Sequence, residues 1–130
     1  RYIFFEKAEN IISIFAFSIM IFANTQSLTN INTVWKLIGS ATAKNKIEFD
    51  ASEYKELYIA VRPYAAGCNC CIQIPTVMLN DTVGRFICTS VSNMSAIVDV
   101  TDSYACIYYA QTNSGDFTSD SRTSIKVYGR

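Results

Sequence analysis

The fold turns on Glu56-Leu57-Tyr58-Ile59-Ala60-Val61-Arg62. Leu57, Ile59 and Val61 alternate with Glu56, Tyr58, Ala60 and Arg62. A period of two places the aliphatic residues on one face of a strand and the mixed set on the other. On both sides of this strand, the chain from Trp35 to Arg130 consists of short apolar or alternating runs separated by Asn, Asp, Ser, Gly or Pro. Further strands are expected at Val34–Ser40, Lys46–Phe49, Cys70–Ile74, Arg85–Thr89, Ala96–Val100, Ala105–Gln111 and Ser124–Tyr128. Turns are expected at Asp50-Ala51-Ser52, Arg62-Pro63-Tyr64, Asn80-Asp81-Thr82 and Thr101-Asp102-Ser103, because short Asx and hydroxyl side chains bond their own backbone there. No helical period survives in this region. The expectation is an all-β, antiparallel β-sandwich or jelly-roll-like domain of about eight strands over residues 33–130. Trp35, at the start of the first strand, reads as a core anchor. The polar stretch Thr112–Thr123 reads as a surface loop with Phe117 as its one exposed anchor.

Composition narrows function. The 130 residues leave room for one ordinary domain, and 50% hydrophobic against 17% charged residues is the balance of a chain that folds. Eleven Lys and Arg offset eleven Asp and Glu, so no net field draws the protein to phosphate backbones, and nucleic acid is not an expected partner. Histidine is absent. That removes Ser/His/Asp and Cys/His nucleophile systems, imidazole acid–base catalysis and every His-containing zinc site. The chain is therefore expected not to be an enzyme and to need no cofactor.

Five cysteines, Cys68, Cys70, Cys71, Cys88 and Cys106, are an odd number, which argues against a complete disulfide framework and for reduced, mostly buried thiols acting as small hydrophobes. The alternative is a four-thiolate zinc site from Cys68, Cys71, Cys88 and Cys106, but only Cys68 and Cys71 have the tight C-x-x-C spacing. Carboxylates recur at Glu48 with Asp50, Asp99 with Asp102, and Asp116 with Asp120, where turn and surface roles compete with a glycosidase-like acid pair. For binding, exposed aromatics and amides are the useful groups, since sugars stack on rings and bond to planar side chains. The candidates are Tyr64, Tyr108, Tyr109, Asn113 and Phe117. Tyr108 and Tyr109 are neighbours in a strand, so one is expected to face the core and the other outward. The competing role for these residues is packing between subunits.

Residues 1–32 are different in kind. Ile11–Ala23 (IISIFAFSIMIFA) is apolar apart from Ser13 and Ser18, follows the charged Glu6, Lys7 and Glu9, and leads into the polar connector Asn24–Asn30. The run is shorter than the roughly 17–25 residues that span a bilayer as a helix. A strained membrane anchor, a signal-peptide core and a helix buried in an oligomeric stalk remain open alternatives. The chain opens on Arg1 rather than methionine, which reads as a fragment of a longer protein.

The order of landmarks carries a resemblance. Thr33-Val34-Trp35-Lys36-Leu37-Ile38-Gly39-Ser40-Ala41-Thr42 precedes Ile47-Glu48-Phe49-Asp50 and Tyr54-Lys55-Glu56-Leu57-Tyr58-Ile59-Ala60-Val61. Ile72-Gln73-Ile74-Pro75-Thr76-Val77-Met78-Leu79 follows, and the chain closes on Ser124-Ile125-Lys126-Val127-Tyr128-Gly129-Arg130. This pattern resembles the C-terminal domain of tail or fibre proteins from phages and prophages of gut Firmicutes. Gly67-Cys68-Asn69-Cys70-Cys71 and the apolar start fall outside it. The resemblance implies a β-sandwich displayed on a virion, assembled as a homotrimer with other tail proteins and binding a host-surface glycan or protein; no catalytic residues come with it. Two alternatives stand beside this reading. One is a secreted or membrane-tethered bacterial surface domain that binds carbohydrate, and the other is a subunit of an extracellular filament.

Overall fold

Leu57, Ile59 and Val61 are completely buried, while Tyr58 and Ala60 between them face the other way. The alternation that announces this strand also sorts its two faces. The computed structural model describes residues 34–91 and 93–130. The expected apolar helix before residue 33 lies outside the described residues. Among those described, nine strands run in chain order: β1 (Lys36–Thr42), β2 (Ile47–Glu48), β3 (Glu56–Arg62), β4 (Cys70–Pro75), β5 (Gly84–Cys88), β6 (Met94–Val100), β7 (Tyr104–Thr112), β8 (Gly115–Asp116) and β9 (Ser124–Gly129). Among the described residues, no helix is long and apolar enough to cross a membrane.

The strands make two antiparallel sheets, one in the order β1-β9-β3-β4 and the other β2-β7-β6-β5, with β8 paired to β7. The all-β, antiparallel expectation holds. Pairing of the first strand with the last, and of β2 with β7, is jelly-roll-like nesting. Further in, the nesting gives way to the β3–β4 hairpin and the β5-β6-β7 meander. At one corner the sheets are stitched by reciprocal bonds between Cys71 and Thr89, with N···O distances of 2.9 and 2.8 Å.

The core fills the space between the sheets. Leu57, Ile59, Val61, Ile74, Ile125 and Val127 of the first sheet meet Ala96, Val98, Val100, Ala105, Ile107 and Ala110 of the second. Alanines opposite larger aliphatics let the layers interdigitate. Two glycines are required by close approach. A Cβ on Gly39 would sit 2.8 Å from Ile47 Cγ2, and one on Gly129 would collide with the Tyr54 ring. The pairing of β1 with β9 skips Ile38 between Leu37 and Gly39, a one-residue bulge that lets Ile38 pack against the core.

Turn chemistry appears where the residues predict it. Asp50 Oδ1 accepts from Ser52 N at 2.9 Å and caps a 3-10 turn over Ala51–Glu53. Asn80 Oδ1 accepts from Thr82 N at 2.8 Å. Thr101 Oγ1 accepts from the backbone N–H groups of Ser103 and Tyr104, both at 3.1 Å. Two expectations are corrected. Trp35 is not in the core: its half-buried ring lies against Tyr58, which points away from the core. Thr112–Thr123 is no bare loop, since it contains β8 and turns Phe117 into half-buried contact with Tyr64.

Candidate functional site: an open cleft beside a β-bulge

The pairing of β6 with β7 sets the site. Val98 faces Ile107 and Ile97 faces Tyr109, so Tyr108 has no partner and forms a one-residue bulge. Ala105 and Ile107 point inward before the bulge, and Ala110 does so after it. The extra residue shifts the alternation, and both Tyr108 and Tyr109 stand on the outer side of the sheet. The expectation that one of them enters the core is thereby corrected. The Tyr108 ring lies 3.6 Å beneath the Arg85 guanidinium carbon, and Arg85 Nε pairs with Asp99 at 3.0 Å, so cation–π contact and an ion pair together fix its tilt. The Tyr109 hydroxyl donates to Gln111 Oε1.

Two segments wall the tyrosines. The β1–β2 turn brings Lys44, held by Asn45 N and Nδ2 donating to Thr42 O and by Ala43 N donating to Thr123 O at 3.0 Å. Opposite it runs Asp116–Asp120. Asp116 Oδ1 accepts from Thr118 N at 2.9 Å and from the Thr118 hydroxyl, whose oxygen also accepts from Ala110 N at 3.0 Å. Buried Thr118 thus clamps this wall to β7 immediately after Tyr109. The resulting cleft is open, about 680 Å³, and lined by Lys44, Tyr108, Tyr109, Asp116, Thr118, Ser119 and Asp120. That volume lies within the range of small-ligand sites.

The support behind the cleft is continuous. Asp120 takes a two-point contact from Arg122, with Nε to Oδ1 at 3.0 Å and Nη2 to Oδ2 at 2.9 Å, and the guanidinium carbon sits 3.5 Å over the Tyr64 ring. Tyr64 meets Phe117 edge-on at a centroid distance of 5.4 Å. Thr123, fully buried, accepts from Tyr64 N at 3.0 Å and donates to Phe117 O at 2.7 Å.

These bonds decide the chemistry of the carboxylates. Hydrogen bonds from the Thr118 side chain and backbone lower the Asp116 pKa, and those from Arg122 lower that of Asp120. Both are ionised acceptors at neutral pH and hold no proton to give a leaving group. Asp50 is spent on its turn and Asp99 on Arg85. The cleft offers two phenols, an ammonium, hydroxyls and charged acceptors, which suits stacking and hydrogen bonding.

Of the residues singled out from sequence, Tyr108 and Tyr109 line the cleft. Tyr64 and Phe117 lie behind its wall as a packed pair. Asn113, exposed in the β7–β8 turn, is outside the lining. Lys44 and Ser119 were not anticipated. The Asp-x-Thr and Asp-x-Arg spacings at 116–118 and 120–122 are the signals of a self-bonded wall, because an Asx side chain reaches the backbone two residues on.

The cysteines are dispersed. Cys71 faces outward on the first sheet, Cys106 outward on the second, Cys88 lies in the core and Cys68 is exposed in the β3–β4 loop. No zinc tetrahedron can gather side chains from opposite faces of the sandwich, and no cluster of three or more metal-binding side chains occurs among the described residues. Burial pushes the Cys88 thiol up to about 12 and also raises Cys70 and Cys106. No family model, no curated protein and no solved structure matches the chain.

Proposed function

We propose that the β domain is a displayed binding module of a phage or prophage tail or fibre protein, which holds a host-surface glycan or protein without transforming it. One observation carries the binding reading: the bulge at Tyr108 turns two adjacent tyrosines outward onto an open cleft between Lys44 and Asp116. Adjacent outward rings are something regular alternation forbids, and an aromatic pair ringed by polar groups is what a saccharide or a tyrosine-rich protein contact requires. The lowered pKa values of Asp116 and Asp120 support binding over hydrolysis, since a glycosidase needs one carboxyl that keeps its proton.

The placement on a virion rests on the resemblance carried by the ordered landmarks from Thr33 to Arg130. Homotrimeric assembly is carried over from the same resemblance; the exposed Val77, Ile87 and Met78 are surface hydrophobics that do not by themselves call for a partner. Adsorption of the labelled full chain to Firmicute cells tests the binding claim. Tyr109→Ala should abolish most of the adsorption, whereas equal retention by wild type and variant contradicts it. Sedimentation at micromolar concentration tests assembly, and a strictly monomeric species rejects the trimer.

A further inference from the structure

We infer that the outer face of the β1-β9-β3-β4 sheet carries a second binding site, a stacking platform for a pyranose sugar, centred on Tyr58, Tyr128 and Trp35. The inference rests on the reading of the domain as a binding module, and its site lies on the opposite sheet from Tyr108 and Tyr109. Tyr58 and Tyr128 are direct cross-strand partners with ring centroids 6.3 Å apart and planes at 61°. Trp35 adds a third ring, 5.7 Å from Tyr58 and tilted by 52°. The core beneath is already filled by Leu57, Ile59 and Val127, so these rings serve no role between the sheets.

Ala60 is the next outward residue along β3, and its methyl cannot fill the space beside two tyrosines. A hollow of about 280 Å³ results, lined by Trp35, Tyr58, Ala60, Asn69, Cys71 and Tyr128. Asn69 is the planar polar group of the lining, and further ones lie outside it on the same face. Glu56 Oε2 accepts from Arg130 Nε at 2.7 Å, Glu56 Oε1 accepts from Gln73 Nε2 at 3.0 Å, and the Arg130 guanidinium carbon lies 4.4 Å over the Trp35 ring. The Glu56–Arg130 pair is self-neutralising, and Lys126, opposite Ala60 on β9, is a further charge on this face.

A pyranose offers an apolar C–H face and a rim of hydroxyls. Aromatic rings take the first, while amide, carboxylate and guanidinium edges take the second. A purely apolar partner would leave the Asn69 amide of the lining without use. The hydrogen bond to Cys71 raises the Tyr58 pKa, so its phenol keeps its proton.

The chain contains one tryptophan, so Trp35 emission reports on this face alone. The full chain is applied to an array of neutral and acidic bacterial and mammalian oligosaccharides, and the tightest soluble binder is titrated against Trp35 fluorescence. Saturable change in the emission is expected, with affinity lowered about ten-fold or more in Tyr128→Ala. Ala60→Leu, which fills the hollow from outside the core, should block the change without loss of thermal stability. Tyr108→Ala should leave it intact. Binding abolished by Tyr108→Ala, with Trp35 emission unmoved by sugar, overturns the second site and leaves the proposed module standing. Absence of binding to every sugar overturns the second site, while cell adsorption through Tyr109 remains a separate test of the module.

Discussion

Thr123→Val is the sharpest test of how the cleft wall is held. The change keeps the branched shape and removes a hydroxyl that accepts from Tyr64 N at 3.0 Å and donates to Phe117 O at 2.7 Å. Thr123 itself is wholly buried. Two bonds disappear, and each leaves a backbone group facing a methyl, at about 1–3 kcal/mol per unsatisfied group. Tyr64 and Phe117 are only half-buried, so water reaches part of the gap and a total of about 2–4 kcal/mol follows. For a domain of this size that is a fall of roughly 10–25 °C in melting temperature. Thr123→Ser keeps the oxygen and loses one buried methyl, at about 1 kcal/mol. Urea denaturation of the three proteins measures the order directly. Valine no worse than serine would refute the claim that this hydroxyl ties the Tyr64 turn to the Phe117 wall.

Gly129→Ala places a methyl inside the Tyr54 ring, and strain of about 1–3 kcal/mol should appear as a lower urea midpoint with an unchanged slope. Asp50, Asp116 and Asp120 all have folded pKa values below the ordinary aspartate value of 3.8. Their contribution is therefore present above that value and lost as pH falls through the folded pKa values, so melting temperature should be flat near neutrality and drop below about pH 4. Asp120→Asn should blunt the drop; a melting temperature that rises on acidification opposes the assignment. A thiol reagent at pH 8 should label exposed Cys68 rapidly and buried Cys70 and Cys88 only after unfolding, since burial raises both thiols, Cys88 to about 12. Rapid native labelling of all five would contradict the core placement.

The sheets were largely legible because strand period and turn chemistry are local. Leu57, Ile59 and Val61 alternate within one strand, and Asp50, Asn80 and Thr101 bond backbone groups two or three residues away. What resisted reading depends on partners distant in sequence. The direction of Tyr108 and Tyr109 is set by the register of β7 against Ile97 and Val98, and no property of the two tyrosines reveals a bulge. Trp35 lies outside the core because it reaches Tyr58 of β3, with the last strand between β1 and β3 in the sheet. Phe117 reads as a lone exposed anchor because its partner, Tyr64, precedes it by five strands. Lys44 enters the cleft only because the β1–β2 turn is bonded to Thr123.

The central claim is that the bulge-centred cleft holds a cell-surface ligand. It is tested most directly by amide chemical-shift mapping of the full chain titrated with solubilised Firmicute cell-wall polysaccharide. The account predicts saturable shifts at Lys44, Tyr108, Tyr109 and Asp116–Asp120. Unmoved resonances at these residues, at polysaccharide concentrations that compete away adsorption of the chain to cells, would contradict it.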